Sequence, residues 1–346
     1  VTERKPRVVG FSARYSTIDG PGLQTYWEHR NLFGGAERLR VEGNLMLAPR
    51  IDGTRIRSIK DLDWSDLGSR FSMSFEKPAL GGTRNDLLID ALAVHERVGD
   101  RHFGGYTNRA GGATLAIRHR FSDTFSIQGG VQAERSSSSD VLGRVDATLI
   151  GLTSSVRYDS TDNLLNPTRG YRLTGTLNGY PTALGSTVGI VEAKATGSTY
   201  FALDDEARYV LAGRLGLGTI AGATLADIPS SHRFYTGGGG TVRGYAYHTV
   251  SPTLNGQITG GRSLFEATAE ARIKITDTIG IVPFVDVGSA YSSNLPDLKQ
   301  FVAVGAGLGL RYLTPIGPIR FDVATPVNKR SGDKLLALYV SIGQAF

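Results

Sequence analysis

The fold of this chain is decided by a ten-residue stretch, EATAEARIKI at residues 266–275. Its polar or charged side chains stand at every second position: Glu266, Thr268, Glu270, Arg272 and Lys274. The residues between them are alanine or isoleucine. Because successive side chains of a strand point to opposite faces, the stretch predicts a β-strand with one polar and one apolar face. Soluble sandwiches and membrane barrels both use such strands, so alternation alone leaves both architectures open.

Similar alternation runs through the rest of the chain. It predicts about sixteen strands, an even number such as single-chain bacterial outer-membrane barrels have. The expected spans are 7–16, 22–30, 36–48, 65–77, 86–99, 109–121, 124–135, 143–159, 168–180, 187–203, 206–219, 264–276, 279–290, 299–313, 316–326 and 335–346. Strands of about ten residues suit a tilted crossing of a bilayer better than the shorter strands of soluble sheets.

The connections between these segments are expected to alternate in length. Short ones lie at 31–35, 122–123, 204–205, 276–278 and 314–315, and longer ones at 48–64, 99–108, 220–262 and 292–298. Short turns on one rim and long loops on the other are typical of outer-membrane barrels. The chain also ends in a strand, and its last residue, Phe346, is expected in an aromatic girdle at the membrane interface.

These features predict an all-β, transmembrane antiparallel β-barrel in the bacterial outer membrane, a single domain over residues 1–346. Closure is required, because an open sheet edge in hydrocarbon leaves backbone groups unpaired. Segment 335–346 is therefore expected to pair with segment 7–16, with both termini on the short-turn rim. The opening VTERKP has no apolar core of a signal peptide, so we expect the N-terminal part of the protein to be missing from this sequence.

Composition narrows the kinds of site. The chain has no cysteine, which excludes a disulfide, a thiolate metal site and a cysteine nucleophile. Its six histidines show no metal-ligand spacing, and no nucleophile motif such as G-x-S-x-G is present. We therefore expect no enzymatic activity, cofactor, metal ion or nucleic-acid partner. The net charge of +6 fits either a lumen lined by arginine and lysine or attraction to an anionic surface.

Three polar stretches have simple interpretations. The glycines at 237–240 suggest a phosphate loop, but no Lys-Ser/Thr pair and no helix follows, which favours a flexible luminal loop. The pair at 204–205, both aspartates, is a turn signal. The serine run at 136–139 is interpreted as the polar tip of a loop.

Arg243 is the leading candidate for a specific contact. It lies in the long loop 220–263, within GGGGTVRGY at residues 237–245. An arginine shielded from bulk water needs a carboxylate, ideally through two hydrogen bonds. Glu270 and Asp286 are inward-facing candidates on the strands after the loop. The alternative, that Arg243 is a solvated residue at a loop tip, stays open on spacing alone.

Five motifs resemble a known family. Val242, Arg243, Gly244 and Tyr245 resemble the VRGY/F signature of the BamA/TamA outer-membrane assembly superfamily, the bacterial surface antigen D15-like barrels. Phe284 to Gly288 (FVDVG) is similar to its F-x-D-x-G strand motif, and DSTDNLLNPTRG at 159–170 to its D-x-x-D-N-x-x-x-P-x-x-G turn. FEKP at 75–78 and NLFG at 31–34 resemble two further turns. The matches run from about residue 15 to residue 346.

The resemblance implies a sixteen-stranded barrel whose sixth extracellular loop is folded into the lumen. Its arginine, here Arg243, would meet acidic residues of the twelfth and thirteenth strands, here Glu270 and Asp286. Family members have periplasmic POTRA domains before the barrel, and these are expected to be absent from this sequence. The ending YVSIGQAF at 339–346 looks TamA-like. TamA-like proteins work with an inner-membrane-anchored, periplasm-spanning partner and BamA-like ones with lipoproteins.

Three functions follow as hypotheses. The first is an assembly factor that inserts client outer-membrane or autotransporter proteins through a lateral gate between the first and last strands, near Gly10, Gly343 and Phe346. There the glycines weaken strand order, and an opened edge can template an incoming strand. The second is a polar-lumen channel or two-partner secretion pore, with Arg243 as a gating charge. The third is a surface adhesin or structural barrel with an exposed loop.

Overall fold

The computed structural model describes residues 5–16, 20–47, 67–100, 103–314, 318–342 and 346. Its strands are β1 Arg7–Ser16, β2 Gly20–His29, β3 Arg38–Leu47, β4 Leu67–Lys77, β5 Asn85–Asp100, β6 Gly104–Arg120, β7 Phe125–Asp140, β8 Gly143–Asp159, β9 Gly170–Tyr180, β10 Ile190–Ala202, β11 Tyr209–Ala221, β12 Thr253–Leu254, β13 Gln257–Ile258, β14 Ser263–Lys274, β15 Ile279–Tyr291, β16 Ala303–Tyr312, β17 Ile319–Pro326 and β18 Ala337–Ile342. Two 3-10 turns lie at Leu80–Gly82 and Thr182–Leu184. Among the described residues, no helix is long and apolar enough to cross a membrane.

Sixteen of these strands form one closed barrel. Each pairs antiparallel with its neighbour in the chain, except that β11 pairs with β14 across the long loop, and β18 returns to β1. The short strands β12 and β13 form a separate hairpin inside that loop. The predicted all-β, sixteen-stranded antiparallel architecture is confirmed, and the predicted twelfth and thirteenth barrel strands are β14 and β15.

The alternation of the sequence sets which face of the barrel each side chain occupies. On β14, Glu266, Glu270 and Arg272 are buried on the luminal side, as their spacing predicts. Outward positions carry exposed apolar side chains, for example Val9 at 75% and Phe11 at 74% exposure. Such an outer band is stable only against hydrocarbon, because exposing large apolar patches to water is unfavourable.

Three central strands, β5, β6 and β7, are longer than expected. β5 continues to Asp100 and β6 begins at Gly104, so the predicted loop 99–108 is wrong. The serine run 136–139 is also no loop tip, because it lies within β7 and pairs with β6 and β8. Ser136 and Ser138 are buried on the luminal side, where Ser138 Oγ accepts a hydrogen bond from the Ser230 amide at 3.1 Å. Ser136 and Ser138 therefore face the loop inside the barrel, and Ser137 and Ser139 alternate to the outer face.

The long loop between β11 and β14, residues 222–262, lies inside the barrel. Its side chains complete three buried apolar clusters with the wall. Ile228 packs near Leu149 of β8, Tyr235 near Tyr106 of β6, and Val242 near Ala303 of β16. The loop thus touches opposite sides of the wall and crosses the lumen.

The barrel closes through a short seam. In the described part of the chain, β18 meets β1 at two register positions, Tyr15 with Val340 and Ser16 with Tyr339. By comparison, β1 meets β2 at ten positions and β17 meets β18 at six. Among the described residues, β1 and β18 therefore share fewer paired positions than either strand shares with its other neighbour.

Phe346 does not lie in an outer aromatic girdle at the seam, so that prediction is wrong. Its ring stacks against Tyr200 of β10 at a centroid separation of 6.1 Å, on the luminal side. Arg272 donates to its carbonyl oxygen at 3.3 Å, and the guanidinium lies 5.3 Å from its ring. The guanidinium of Arg272 and the ring of Phe346 attract each other. Phe346 is therefore more stable against the luminal wall than against lipid. The predicted loop 48–64 and Gly343 fall outside the described residues.

Candidate functional site

The GGGGTVRGY segment folds as a compact turn pressed against the wall. Gly237 and Gly238 adopt positive φ angles of 104° and 97°, which side chains disfavour. The Gly238 amide donates to the carbonyl oxygens of Val242, at 3.2 Å, and Tyr245, at 3.0 Å. Gly244 also has a positive φ, of 100°, and a Cβ there would meet the Thr325 backbone of β17 at 2.8 Å. Glycine is required because the loop backbone touches the strand directly.

Arg243 meets Asp286 of β15 in the geometry of a two-pronged ion pair. Its Nε lies 2.6 Å from Asp286 Oδ2, and its Nη2 lies 2.8 Å from Oδ1. The Arg243 backbone amide also donates to Oδ2, at 3.0 Å. Both side chains are almost fully buried. The carboxylate therefore fixes the arginine and the loop backbone at the same point.

Two more carboxylates reach the same guanidinium. Arg243 Nη1 lies 3.0 Å from Glu270 of β14 and 3.0 Å from Asp322 of β17. The resemblance implies Glu270 and Asp286, and the structure brings both to Arg243. It adds Asp322, which the sequence reasoning missed. The sequence feature that could have identified Asp322 is its spacing from Arg320, which places both side chains on one face of a strand.

Two of the three carboxylates, Glu270 and Asp322, also bind arginines of the wall. Arg311 Nη1 and Arg320 Nε each lie 2.5 Å from Asp322, and Arg272 Nε lies 3.1 Å from Glu270. We call the seven residues of this arrangement the arginine network: Arg243, Glu270, Arg272, Asp286, Arg311, Arg320 and Asp322. An ion in a dry interior is costly unless it is paired and hydrogen-bonded, so each member depends on the others.

Aromatic and glycine residues shape the space for Arg243. Its guanidinium carbon lies 3.4 Å from the centroid of the Phe284 ring, a cation–π contact. A Cβ on Gly305 of β16 would collide with the Arg243 carbonyl oxygen, and one on Gly307 with the Phe284 ring. A Cβ on Gly288 would press on Val242 at 3.0 Å. Phe284 and Gly288, the ends of the FVDVG motif, thus hold the arginine rather than bind a ligand.

The tyrosine of the motif is attached by its hydroxyl. Tyr245 Oη donates to Asn328 Oδ1 at 2.6 Å, in the connection after β17. Burial raises the pKa of Tyr245 to about 12, so the hydroxyl stays protonated at neutral pH. The next residue toward the N-terminus, Gly244, donates its amide to Tyr339 Oη of β18 at 3.2 Å. The loop is therefore also attached to the strand that closes the barrel.

The charge of Arg243 is secured by its neighbours. Burial by itself lowers the pKa of a guanidinium. The hydrogen bond and charge of Asp286, with the charges of Glu270 and Asp322, outweigh burial and raise the pKa of Arg243 above its ordinary value. Arg243 is thus a permanent cation and no proton donor, and its arrangement serves attachment rather than acid–base chemistry.

A second attachment holds the other end of the loop. His232 Nδ1 lies 2.5 Å from Glu192 of β10, and its Nε2 lies 3.0 Å from Glu134 of β7. Burial opposes protonation of the ring, but the two carboxylates outweigh it and raise the pKa of His232 to about 10. Arg233 beside it is buried against Asp140 and donates to the carbonyl oxygen of Thr259 at 2.8 Å. Sequence reasoning treated His232 as a scattered histidine.

Between the two attachments lies an aromatic stack. Tyr106 of β6, Tyr235 and His248 stack with ring centroids 5.0–6.3 Å apart, and Tyr247 lies 3.8 Å from His248. Burial, with the charge of Lys194, lowers the pKa of His248 to about 3, so this ring is neutral. The loop thus has a neutral histidine within the aromatic stack and a charged one at its other attachment.

Of the predicted seam residues, Gly10 lies on β1, the first strand of the seam. Gly10 of β1 lies opposite Tyr26 of β2, and a Cβ at Gly10 would collide with the Tyr26 ring. Gly10 therefore accommodates an aromatic ring over the strand, and it lies away from the described seam positions, Tyr15 and Ser16. Tyr339, not among the predicted seam residues, joins β18 to the loop.

A closed outer-membrane barrel with a loop pinned in its lumen is the class that this fold and site define. The sequence matches the description "Omp85 superfamily domain" over residues 31–346. The chain belongs to the Omp85 superfamily.

Curated relatives agree with this membership. The outer membrane protein assembly factor BamA of Neisseria meningitidis serogroup B is 28% identical over 222 residues, covering 54% of this chain and 28% of the relative. BamA of Nitratidesulfovibrio vulgaris is 28% identical over 212 residues, covering 57% of this chain and 26% of the relative. The matched part is thus little more than a quarter of those relatives' length. Like them, the chain is an outer-membrane protein.

Solved structures show the same fold. BamA from Haemophilus ducreyi lacking POTRA domains 1–3 superposes with a TM-score of 0.80 at 19% identity, covering 98% of this chain and 70% of that one. CdiB from Acinetobacter baumannii superposes with a TM-score of 0.62 at 15% identity, covering 98% and 59%. These likenesses concern the fold alone.

Removal of the Arg243 side chain should loosen the loop. Arg243→Ala leaves buried carboxylates unpaired, which costs about 3–5 kcal/mol. We expect the folded barrel to convert to the unfolded form at a clearly lower temperature on semi-native gels, and Asp286→Arg to do the same. Arg214→Ala is the matched control, because Arg214 touches the same loop through one bond to the Gly240 carbonyl. Equal heat resistance of Arg243→Ala and wild type would refute the attachment.

The His232 attachment should make stability depend on pH. Its folded pKa, about 10, exceeds the ordinary 6.5, so the stabilisation is complete below about pH 6.5 and disappears as pH rises through about 10. We expect the melting temperature to fall between pH 6.5 and 10.5, and His232→Gln to remove that part of the slope. His119→Gln, at an exposed position of β6, is the control. An unchanged slope in His232→Gln would contradict the assignment.

Proposed function

We propose that this chain is the membrane-embedded barrel of a factor that assembles client proteins into the outer membrane, by lateral opening between β1 and β18. Family membership supports outer-membrane protein assembly or two-partner secretion as the general function. The observation that carries the gate is the seam, which has two described register pairs against ten and six in the neighbouring strand pairs. Among the barrel's strand pairs in the described residues, this one has the fewest paired residues to separate.

An open seam would act as a template. Separation of β1 from β18 exposes unpaired N–H and C=O groups, and hydrocarbon leaves them no partner except another strand. An incoming client strand satisfies them by β-augmentation. No nucleotide is needed, because folding of the client supplies the free energy.

The arginine network ties the loop to this seam. Asp322 and Arg320 lie on β17, one strand from the seam, and Tyr339 lies on β18 itself. The Tyr339 hydroxyl accepts from the Gly244 amide at 3.2 Å and donates to the Tyr245 carbonyl oxygen at 3.4 Å. Opening at β18 either breaks these bonds or moves the loop with the strand. We infer that the loop holds β18 in place while β1 separates.

Clients and partners follow from the same proposal. The clients are unfolded outer-membrane barrels or autotransporter proteins, delivered to the short-turn rim. A periplasm-spanning protein or lipoproteins would bind through regions beyond this barrel, as the resemblance implies. The TamA-like subgroup stays a prediction, and the curated relatives reported above are BamA proteins.

A lock across the seam tests the gate. Tyr15 and Val340 are directly opposed, and paired residues of antiparallel strands lie about 4.5–5.5 Å apart, a separation that a disulfide spans. We expect Tyr15→Cys/Val340→Cys, once oxidised, to abolish the acceleration of client folding in proteoliposomes and reduction to restore it. The chain has no other cysteine to interfere.

The control is an equivalent disulfide between two strands away from the seam. Phe201 of β10 opposes Leu211 of β11, and both are exposed on the outer face. Phe201→Cys/Leu211→Cys should leave client folding unchanged when oxidised. Full activity with the seam locked would contradict lateral opening.

A secretion pore is the second candidate, and the likeness of the fold to CdiB favours it. Planar-bilayer conductance separates the two. With its loop attached at both walls, the wild type should show little steady conductance, and His232→Gln/Arg243→Ala should show more. Large, steady conductance of the wild type, with no effect on client folding, would favour the pore.

A further inference from the structure

The outer face of the barrel carries a group of cations where an apolar surface is expected. Arg109 of β6 and Arg135 of β7 are exposed, and they share their faces with Leu115 and with Val131, both outward-pointing. His95 of β5 is directly opposite Arg109 and accepts from its Nε at 3.3 Å. Gly111, two residues from Arg109, is opposite Arg135. Arg109 and Arg135 are therefore diagonal neighbours on the two strands, with Cα atoms about 7–8 Å apart.

These cations stand at the outer edge of the apolar band. Toward the short-turn rim, the same rows continue as Ala93 on β5, Ile117 on β6 and Ile127 on β7. On the half of each strand nearer the opposite, extracellular rim, the outward positions instead carry His95, Arg109 and Arg135. That height corresponds to the headgroups of the outer leaflet. Arginine side chains at this level face phosphate groups rather than hydrocarbon.

Acidic side chains neutralise this group only in part. By register, the nearest carboxylate on the outer face of the described neighbouring strands is Asp146 of β8, opposite Ser137. Asp146 pairs with its own neighbour Arg144, at 3.2 Å, and is also attracted to Arg135, so one carboxylate stands against Arg109, Arg135 and Arg144. The excess positive charge therefore attracts an external anion.

A groove of about 890 Å³ runs from these cations across the outer face to β1. Phe11, Leu23, Leu45 and Phe71 form its apolar walls, and His95, Arg109 and Arg135 line its other end. Gly43 and Gly111 lie in the same cross-strand row as Phe11 and Phe71, so the lack of side chains there deepens it. The groove thus has an apolar length and a cationic end, the complement of a lipid with an anionic head.

We propose that this groove binds one phosphorylated glycolipid of the outer leaflet, a lipopolysaccharide. Its phosphate lies between Arg109 and Arg135, whose planar guanidiniums suit two-pronged phosphate binding. One acyl chain follows the groove over Gly111 and Gly43 toward Phe11 of β1. The site is independent of the assembly function, although its apolar end borders the first strand of the seam.

Native mass spectrometry of the full chain in detergent micelles tests the site. The probes are bis-phosphorylated lipid A, the same lipid without phosphates, and phosphatidylglycerol. We expect one retained lipid A, and Arg109→Ala/Arg135→Ala to weaken its binding about thirtyfold, since each arginine near an anionic headgroup contributes about 1 kcal/mol. Gly111→Leu fills the groove without touching the charge, because a Cβ there has no neighbour nearer than 3.8 Å, and it should also weaken binding.

The matched control removes two arginines from the other rim. Arg169 and Arg208 are exposed in the turns that follow β8 and β10. Arg169→Ala/Arg208→Ala should bind lipid A as the wild type does, and semi-native gels report whether each variant is folded. Wild-type affinity in folded Arg109→Ala/Arg135→Ala, or an equal loss in the control, would overturn the site. Equal binding of phosphatidylglycerol would overturn its assignment to a glycolipid.

Discussion

Arg243 carries a permanent charge into the barrel on a loop, where carboxylates of β14, β15 and β17 meet it. The contacts with Glu270, Asp286 and Asp322 all lie within 3.0 Å. Three strands are thereby joined at one point that is not part of the backbone ladder. An arginine so buried is stable only with all of its partners in place, so the position of the loop and the curvature of this wall are set together.

A loop fixed at one end would still be able to swing. His232 and Arg233 attach its other end to β7 and β10, on the far side of the lumen. The aromatic stack around His248 fills the space between, so the loop acts as a strut across the barrel. Because the strut meets β17 and β18 but makes no described contact with β1, a separation at the seam leaves it attached to one side. This asymmetry favours opening at the seam over opening of the lumen.

Sequence alternation was enough to predict the barrel, because each strand has to present one face to lipid and the other to the lumen. Arg243 and Asp286 were identified because they lie in motifs that resemble those of the family, and Glu270 because it is an inward-facing acid on the strand that follows the loop. Asp322 was missed because alternation gives the face of a side chain but not its height in the lumen. A usable signal was the spacing of Arg320 and Asp322 on one face of β17, beside a strand, β16, whose glycines at every second position (Gly305, Gly307, Gly309) leave room for buried groups.

Other parts of the site depend on contacts that spacing does not encode. His232 and Glu134 are 98 residues apart in the chain, and only the path of the loop brings them together. Phe346 turned inward because a cation and a tyrosine ring on the luminal wall stabilise it, which a strand pattern does not reveal. Strands β5 to β7 were cut short in the prediction because their serine and glycine residues resemble loop composition. Their small side chains instead make room for the loop.

The central claim is that Arg243 and Asp286 act as one buried unit, and a double-mutant cycle tests it most directly. Unfolding by urea in lipid vesicles would be measured for wild type, Arg243→Ala, Asp286→Ala and the double variant. We predict a coupling free energy of about 2–3 kcal/mol, so that the double variant loses clearly less stability than the sum of the two single losses. Strictly additive losses would contradict the account.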